Sequence, residues 1–157
     1  MLRWLVLSGI IIVLDQISKY FASASLELHQ PVPIMPFLNF TLMHNEGAAF
    51  SFLSDAGGWQ RWFLSALALS VSVFIIFWIR KLQPYERWHA VSLALILGGA
   101  LGNVIDRIRI GYVVDFIDVY YKSAHWPAFN IADSAITVGA GILIFVGFIK
   151  KEEEPSK

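Results

Sequence analysis

Cysteine is absent from the 157 residues, which excludes disulfides, thiolate nucleophiles and cysteine-ligated metals together. Charge is scarce: only 15% of residues are Asp, Glu, Lys or Arg, and the formal net charge is zero. No basic footprint is left to hold nucleic acid, and none is expected as a partner. His29, His44, His89 and His125 are scattered and contain no H-E-x-x-H pair, so zinc-protease chemistry is not indicated and neither metal nor cofactor is expected. The polar surface of a soluble domain is missing as well. Apolar residues make up 57% of the chain and its mean hydropathy is +0.61, more than a domain of this size can cover with polar side chains. What is present is an integral membrane protein.

Four apolar runs, about Trp4–Ala24, Trp62–Ile79, Ala90–Ile108 and Ile131–Ile149, are each near the roughly 20 residues that cross a bilayer as helix. The first imitates a cleavable leader, with Arg3 ahead of it and Ala22-Ser23-Ala24 as a small-residue cleavage site. Asp15 and Lys19 interrupt it, however, and it outruns a typical leader core, so it reads as a permanent span. The cluster IRKLQPYERWH, with Arg3 and the lysines of the tail, places both termini on the cytoplasmic side and the longer connections outside. In the first of those connections Pro31, Pro33 and Pro36 forbid a helix, and the partly alternating Phe, Leu, Thr and Met residues that follow read as short strands. The expected fold is therefore a membrane all-α bundle of four transmembrane helices in a single domain, 1–157, with a small outer β-cradle or flap between helices 1 and 2. Trp and Tyr gather at the span ends as interfacial anchors. Gly98 with Gly102, and Ala135 with Gly139, repeat a four-residue spacing that lets helices approach closely.

Carboxylates at membrane depth are costly, so those retained are functional candidates. Asp15 and Lys19 are four apart and share a helix face. They read either as a self-neutralising pair with Lys19 snorkelling outward or as groups that orient backbone or substrate. Asn103, Asp106 and Arg107 form a second cluster near the outer end of the third span, where Arg107 is expected to brace its own helix or a neighbouring loop. Asp133 opens the fourth span, with Asn130 as a candidate cap, and its charge suits the helix dipole there. Asp115 lies in what reads as a connecting segment, and Asp118 follows it three residues later. Local sequence does not choose among Asp106, Asp115 and Asp118 as a partner for Asp133. Two carboxylates brought together share one proton, an arrangement that activates water against an amide. A dyad of Ser23 and Lys19 is a weaker alternative, since Asp15 would keep the lysine charged. A small proton-coupled transporter is a rival from another class, disfavoured by the long non-helical outer segment, and a binding scaffold would leave the acids unexplained.

Five segments in order, LDQISKY, HNEGAAFS, GALGNVIDR, VVDFIDVY and FNIADSAI, resemble those of the bacterial lipoprotein signal peptidases (signal peptidase II). Each is weak alone; together they cover nearly the whole chain and are specific. The resemblance implies an aspartyl endopeptidase of the bacterial inner membrane, sensitive to the cyclic peptide globomycin. It would cut prolipoproteins just before a diacylglyceryl-modified cysteine on the periplasmic side. It implies Asp115 and Asp133 as the catalytic pair, and Asp15, Lys19, Asn45, Asn103, Arg107 and Asn130 as supporting polar residues. Gly47, Ala48 and Ala49 are expected to let a backbone pass closely, and Asn45 to hydrogen-bond the peptide or the diglyceride ester. Prolipoprotein and membrane lipid are then the expected partners of a monomeric enzyme.

Overall fold

The computed structural model describes residues 1–47 and 58–152, with side chains through 148. After a 3-10 turn at Leu2–Trp4 the chain forms α1 (Leu5–Ser25), β1 (Pro31–Met35), β2 (Leu38–Asn45), α2 (Trp59–Lys81), α3 (Arg87–Arg109), β3 (Val113–Tyr121), β4 (Ala124–His125) and α4 (Ile131–Glu152). All four helices are long and apolar enough to cross a membrane, and each contains the run expected from the sequence. Ala48 and Ala49 lie outside the described residues, as does most of HNEGAAFS beyond Gly47.

α3 is the central helix. It packs on α1, α2 and α4, and just over half of its most apolar window is buried, against about a fifth in each of the others. Glycines make this possible. A Cβ at Gly99 would run into the Ala132 carbonyl of α4, and one at Gly102 would stand 2.7 Å from the Asp15 carboxylate of α1. The small-residue spacing in GGALGN is thus used against two neighbours at once. Toward the other end a core of Ile75, Ile79, Leu82, Ala90, Leu93 and Leu97 joins α2 to α3. The outward faces of α1, α2 and α4 remain apolar, with Val6, Phe74 and Phe148 more than 60% exposed. That is the pattern of helices solvated by lipid.

The sheet caps one end of the bundle, in the antiparallel order β1-β2-β3-β4. β1 is the edge strand, where Pro31 and Pro33 are tolerated. Two-residue turns close both hairpins, at Pro36-Phe37 and Lys122-Ser123, and each carries one positive φ, 72° at Phe37 and 56° at Lys122. The β element expected between helices 1 and 2 therefore supplies only half of the sheet. The segment between helices 3 and 4, read from sequence as a connection, is its most buried strand, β3. That strand anchors the sheet on the bundle.

Candidate active site

Asp115 and Asp118 are three positions apart, an odd offset, so they project from opposite faces of β3. On one face Asp118 accepts hydrogen bonds from Asn39 Nδ2 at 3.2 Å and Thr41 Oγ1 at 3.0 Å, and lies 2.8 Å from His125 Nδ1. Burial pushes its carboxyl up, but those three partners outweigh it and hold the pKa below the usual value. On the other face Asp115 accepts from Asn45 Nδ2 at 3.0 Å and Asn130 Nδ2 at 2.7 Å. A one-residue bulge in β2, between Phe40 and Met43, separates the two sets of partners. Without it Asn39 and Asn45, six apart, would share a face; the extra residue turns Asn45 to the Asp115 side. The Asn45 amide is itself oriented by the Gly47 N–H, which donates to Oδ1 at 2.9 Å from a backbone with φ of 109°. Gly47 is thus needed for its left-handed conformation.

Asp133 comes from the first turn of α4. Asn130 Oδ1 accepts the Asp133 N–H at 2.9 Å, while Asp133 Oδ2 accepts the Asn130 N–H at 3.3 Å. This is a reciprocal capping box with a shorter acid than usual. Asn103 Nδ2 of α3 donates to Asp133 Oδ1 at 2.8 Å. Asn130, fully buried, therefore touches both carboxylates, Asp115 through its side-chain amide and Asp133 through its backbone N–H. Of the three acids left open as partners of Asp133, Asp115 is the one that shares this residue with it.

The pair is electrostatically unusual. Asp115 is 2% exposed, and burial pushes its carboxyl up to about 7. The Asn45 hydrogen bond opposes that rise, the Asp133 charge adds to it, and the Asn130 bond and Lys19 charge oppose it again. Among the described residues no ion pair forms on Asp115 or Asp133. Arg107 feels both charges and that of Asp106, yet its Nε is buried with no acceptor among the described residues. The expected brace is thus seen as a nearby charge, not as a hydrogen bond from that nitrogen.

Lys19 does not snorkel. It is 3% exposed and its three donors are taken, by Asp15 Oδ2 and Asp106 Oδ2 at 2.8 Å each and by Asn103 Oδ1 at 2.9 Å. Because the ammonium holds Oδ1 of Asn103, the amide's donor end is left facing Asp133. Asp15 Oδ1 accepts the Ala132 N–H at 2.9 Å, so a side chain of α1 satisfies an orphan donor at the start of α4. Asp106 Oδ2 accepts the Val114 N–H at 3.2 Å, tying α3 to β3 one residue before Asp115. With its donors committed, Lys19 has no lone pair for Ser23, and the Ser–Lys dyad is not assembled.

Gln16 escaped the sequence reading, although a polar residue within LDQISK was signal enough. Its Nε2 lies 2.9 Å from Asp106 Oδ1 and 3.3 Å from Asp15 Oδ2. The structural role of Asp106 was also missed. A groove of about 530 Å³, lined by Trp126, Phe129, Asp133, Ser134, Thr137 and Val138, runs along α4 and gives access to half-buried Asp133.

A four-helix membrane bundle capped by a small sheet, with two amide-bound carboxylates where they meet, is a membrane-embedded arrangement fit for acid–base chemistry. The chain belongs to the signal peptidase II family: the family model described as signal peptidase (SPase) II matches residues 7–149. It is 61% identical over 145 residues to the lipoprotein signal peptidase of Teredinibacter turnerae, covering 92% of this chain and 86% of that protein. It is 57% identical over 154 residues to the lipoprotein signal peptidase of Acinetobacter baumannii, covering 98% and 88%. A bacterial membrane enzyme solved by the in meso method at 2.3 Å superposes with a TM-score of 0.85 at 29% identity, over 99% of this chain and 93% of the other. Another, at 1.9 Å, does so with a TM-score of 0.81 at 31% identity, over 92% and 91%.

Proposed function

We propose that this protein removes signal peptides from diacylglyceryl-modified prolipoproteins, cutting just before the lipidated cysteine, with Asp115 and Asp133 as an aspartyl dyad. The observation that carries the reading is that Asn130 donates to two carboxylates, from its side-chain amide to Asp115 and from its backbone N–H to Asp133, with Asp115 buried and pushed up to about 7. Asp115, buried and beside the Asp133 charge, holds its proton up to about pH 7. Burial assigns that resting proton to Asp115. Asp133, reached from the groove, takes a proton from water as its oxygen attacks the scissile carbonyl. Asp115 donates to the carbonyl oxygen, giving a gem-diol. As the C–N bond breaks, Asp133 gives the proton it took from water to the leaving amine, and a hydroxyl of the gem-diol returns its proton to Asp115 as the carbonyl re-forms. No covalent enzyme intermediate is required.

The location suits a lipidated substrate. Extracting a signal helix and acyl chains into water would cost about 0.8 kcal/mol per exposed CH₂. A site where the sheet meets the lipid-facing helices leaves both in the bilayer. In this reading the sheet lies on the periplasmic face of the bacterial inner membrane, both termini are cytoplasmic, and the working enzyme is a globomycin-sensitive monomer. Asn45, fixed on Asp115, has its Nδ2 within the reacting centre and is proposed to steer the proton there. The test uses the full chain in detergent with a synthetic diacylglyceryl prolipoprotein. Asp115→Asn and Asp133→Asn are each expected to insert and fold but to lose cleavage by about 10³-fold or more. A variant retaining a tenth of the activity would sink the dyad.

A further inference from the structure

At the end of the bundle opposite the sheet, an open groove of about 580 Å³ that the cleavage chemistry does not use runs along the start of α1 and reaches Arg87 of α3. Its wall is Trp4, Val6, Leu7 and Ile10, and its mouth is flanked by Arg3 and Arg87, contributed by two different helical segments. Both arginines are exposed, and the Arg3 guanidinium stands 5.9 Å from the centre of the Trp4 ring. α1 and α3 both begin here, so the unsatisfied N–H groups of two helix starts add positive potential to the two side chains. The neighbouring acid, Glu86, accepts the Gln83 N–H on a carboxylate oxygen at 2.9 Å, and the two arginines outnumber its single charge.

An apolar slot on the lipid-facing side of a span with two exposed cations beside it matches one ligand chemistry. That is an acyl chain continuous with an anionic headgroup. We infer that this groove is a binding site for an anionic phospholipid of the leaflet opposite the sheet, its chain along Val6, Leu7 and Ile10 and its phosphate between Arg3 and Arg87. A zwitterionic phosphatidylethanolamine would fill the slot equally but bring its own ammonium to the arginines. Selectivity therefore resides in the two guanidinium groups, while retention resides in the slot.

The test is native mass spectrometry of the full chain released from mixed micelles with equal dioleoyl phosphatidylglycerol and dioleoyl phosphatidylethanolamine. The wild type is expected to retain one phosphatidylglycerol preferentially. Each arginine at a membrane surface contributes about fivefold, so Arg3→Gln with Arg87→Gln lowers the preference by roughly thirtyfold. Ile10→Trp, which fills the slot and leaves the charges, is expected to reduce retention of both lipids. Arg80→Gln with Lys81→Gln, at the same end but outside the groove, leaves the preference intact. Equal retention of the two lipids by the wild type would overturn the site. So would an undiminished preference in the double arginine variant, or an equal loss in the Arg80/Lys81 control, which would signal only diffuse surface charge. A dimer broken by Ile10→Trp without any lipid preference would assign the slot to a second copy of the chain and refute the proposal.

Discussion

Two carboxylate pairs lie a few residues apart in this fold and are treated in opposite ways. Asp15 and Asp106 close around Lys19, each 2.8 Å from its ammonium; the other Asp15 oxygen accepts the Ala132 N–H, and the same Asp106 oxygen also accepts the Val114 N–H. Asp115 and Asp133 receive neutral amides instead, from Asn45, Asn103 and Asn130. The first pair shares one cation and becomes mortar between α1, α3, β3 and α4. The second has no cation in salt-bridge contact among the described residues, which is what the proposed dyad requires.

The contrast breaks most visibly if each pair is neutralised in turn. Asp115→Asn or Asp133→Asn should cost three orders of magnitude or more in kcat while the unfolding temperature in detergent stays within a few degrees. Lys19→Met should do the reverse of a site mutation. It strands two buried carboxylates without their cation and should lower stability by about 3–5 kcal/mol, read as a fall in unfolding temperature; adding Asp106→Asn should recover part of it. A stable, fully active Lys19→Met protein would show that the triad is not mortar.

Proton dependence sharpens the comparison further. Cleavage that needs a proton on Asp115 should decline as pH rises through about 7. In Asn45→Ala, where a hydrogen bond to the ionised form is lost, the same limb should move to higher pH. A limb that stays put would remove Asn45 from the reacting centre. Stability should carry the same sign. The folded pKa of Asp115 lies above the ordinary value of 3.8, so between those pH values the folded state holds the extra proton. This contribution is therefore fully present below about 4 and lost as pH rises through about 7, at no more than about 1.4 kcal/mol per unit. Thermal unfolding of wild type and Asp115→Asn between pH 5 and 8 isolates it. The smallest effect is expected on the far face of β3, where Asp118→Asn should change cleavage less than threefold and stability by about 1 kcal/mol.

The helices were legible because length and hydropathy are local properties, and so was the Asn130 cap ahead of Asp133. β3 was not read, even though Val113–Tyr121 is rich in β-branched and aromatic residues between Gly111 and Lys122. A strand buried on both faces lacks the alternation that marks a half-exposed one, and its two acids made it look solvated. The bulge in β2, which sends Asn45 and Asn39 to different acids, leaves no mark in composition. Nor could the fate of Lys19 be foreseen. Its cage combines a neighbour one turn away with groups 84 positions distant in the case of Asn103, and only the assembled bundle brings them together.

The bond from Asp15 to the Ala132 amide spans 117 positions and joins the first helix made to the last. Until α4 has entered the membrane, Asp15 has no amide to receive and Asp133 has not arrived. In the proposed mechanism a chain with only three helices in place therefore lacks half of its dyad, and α4 completes it.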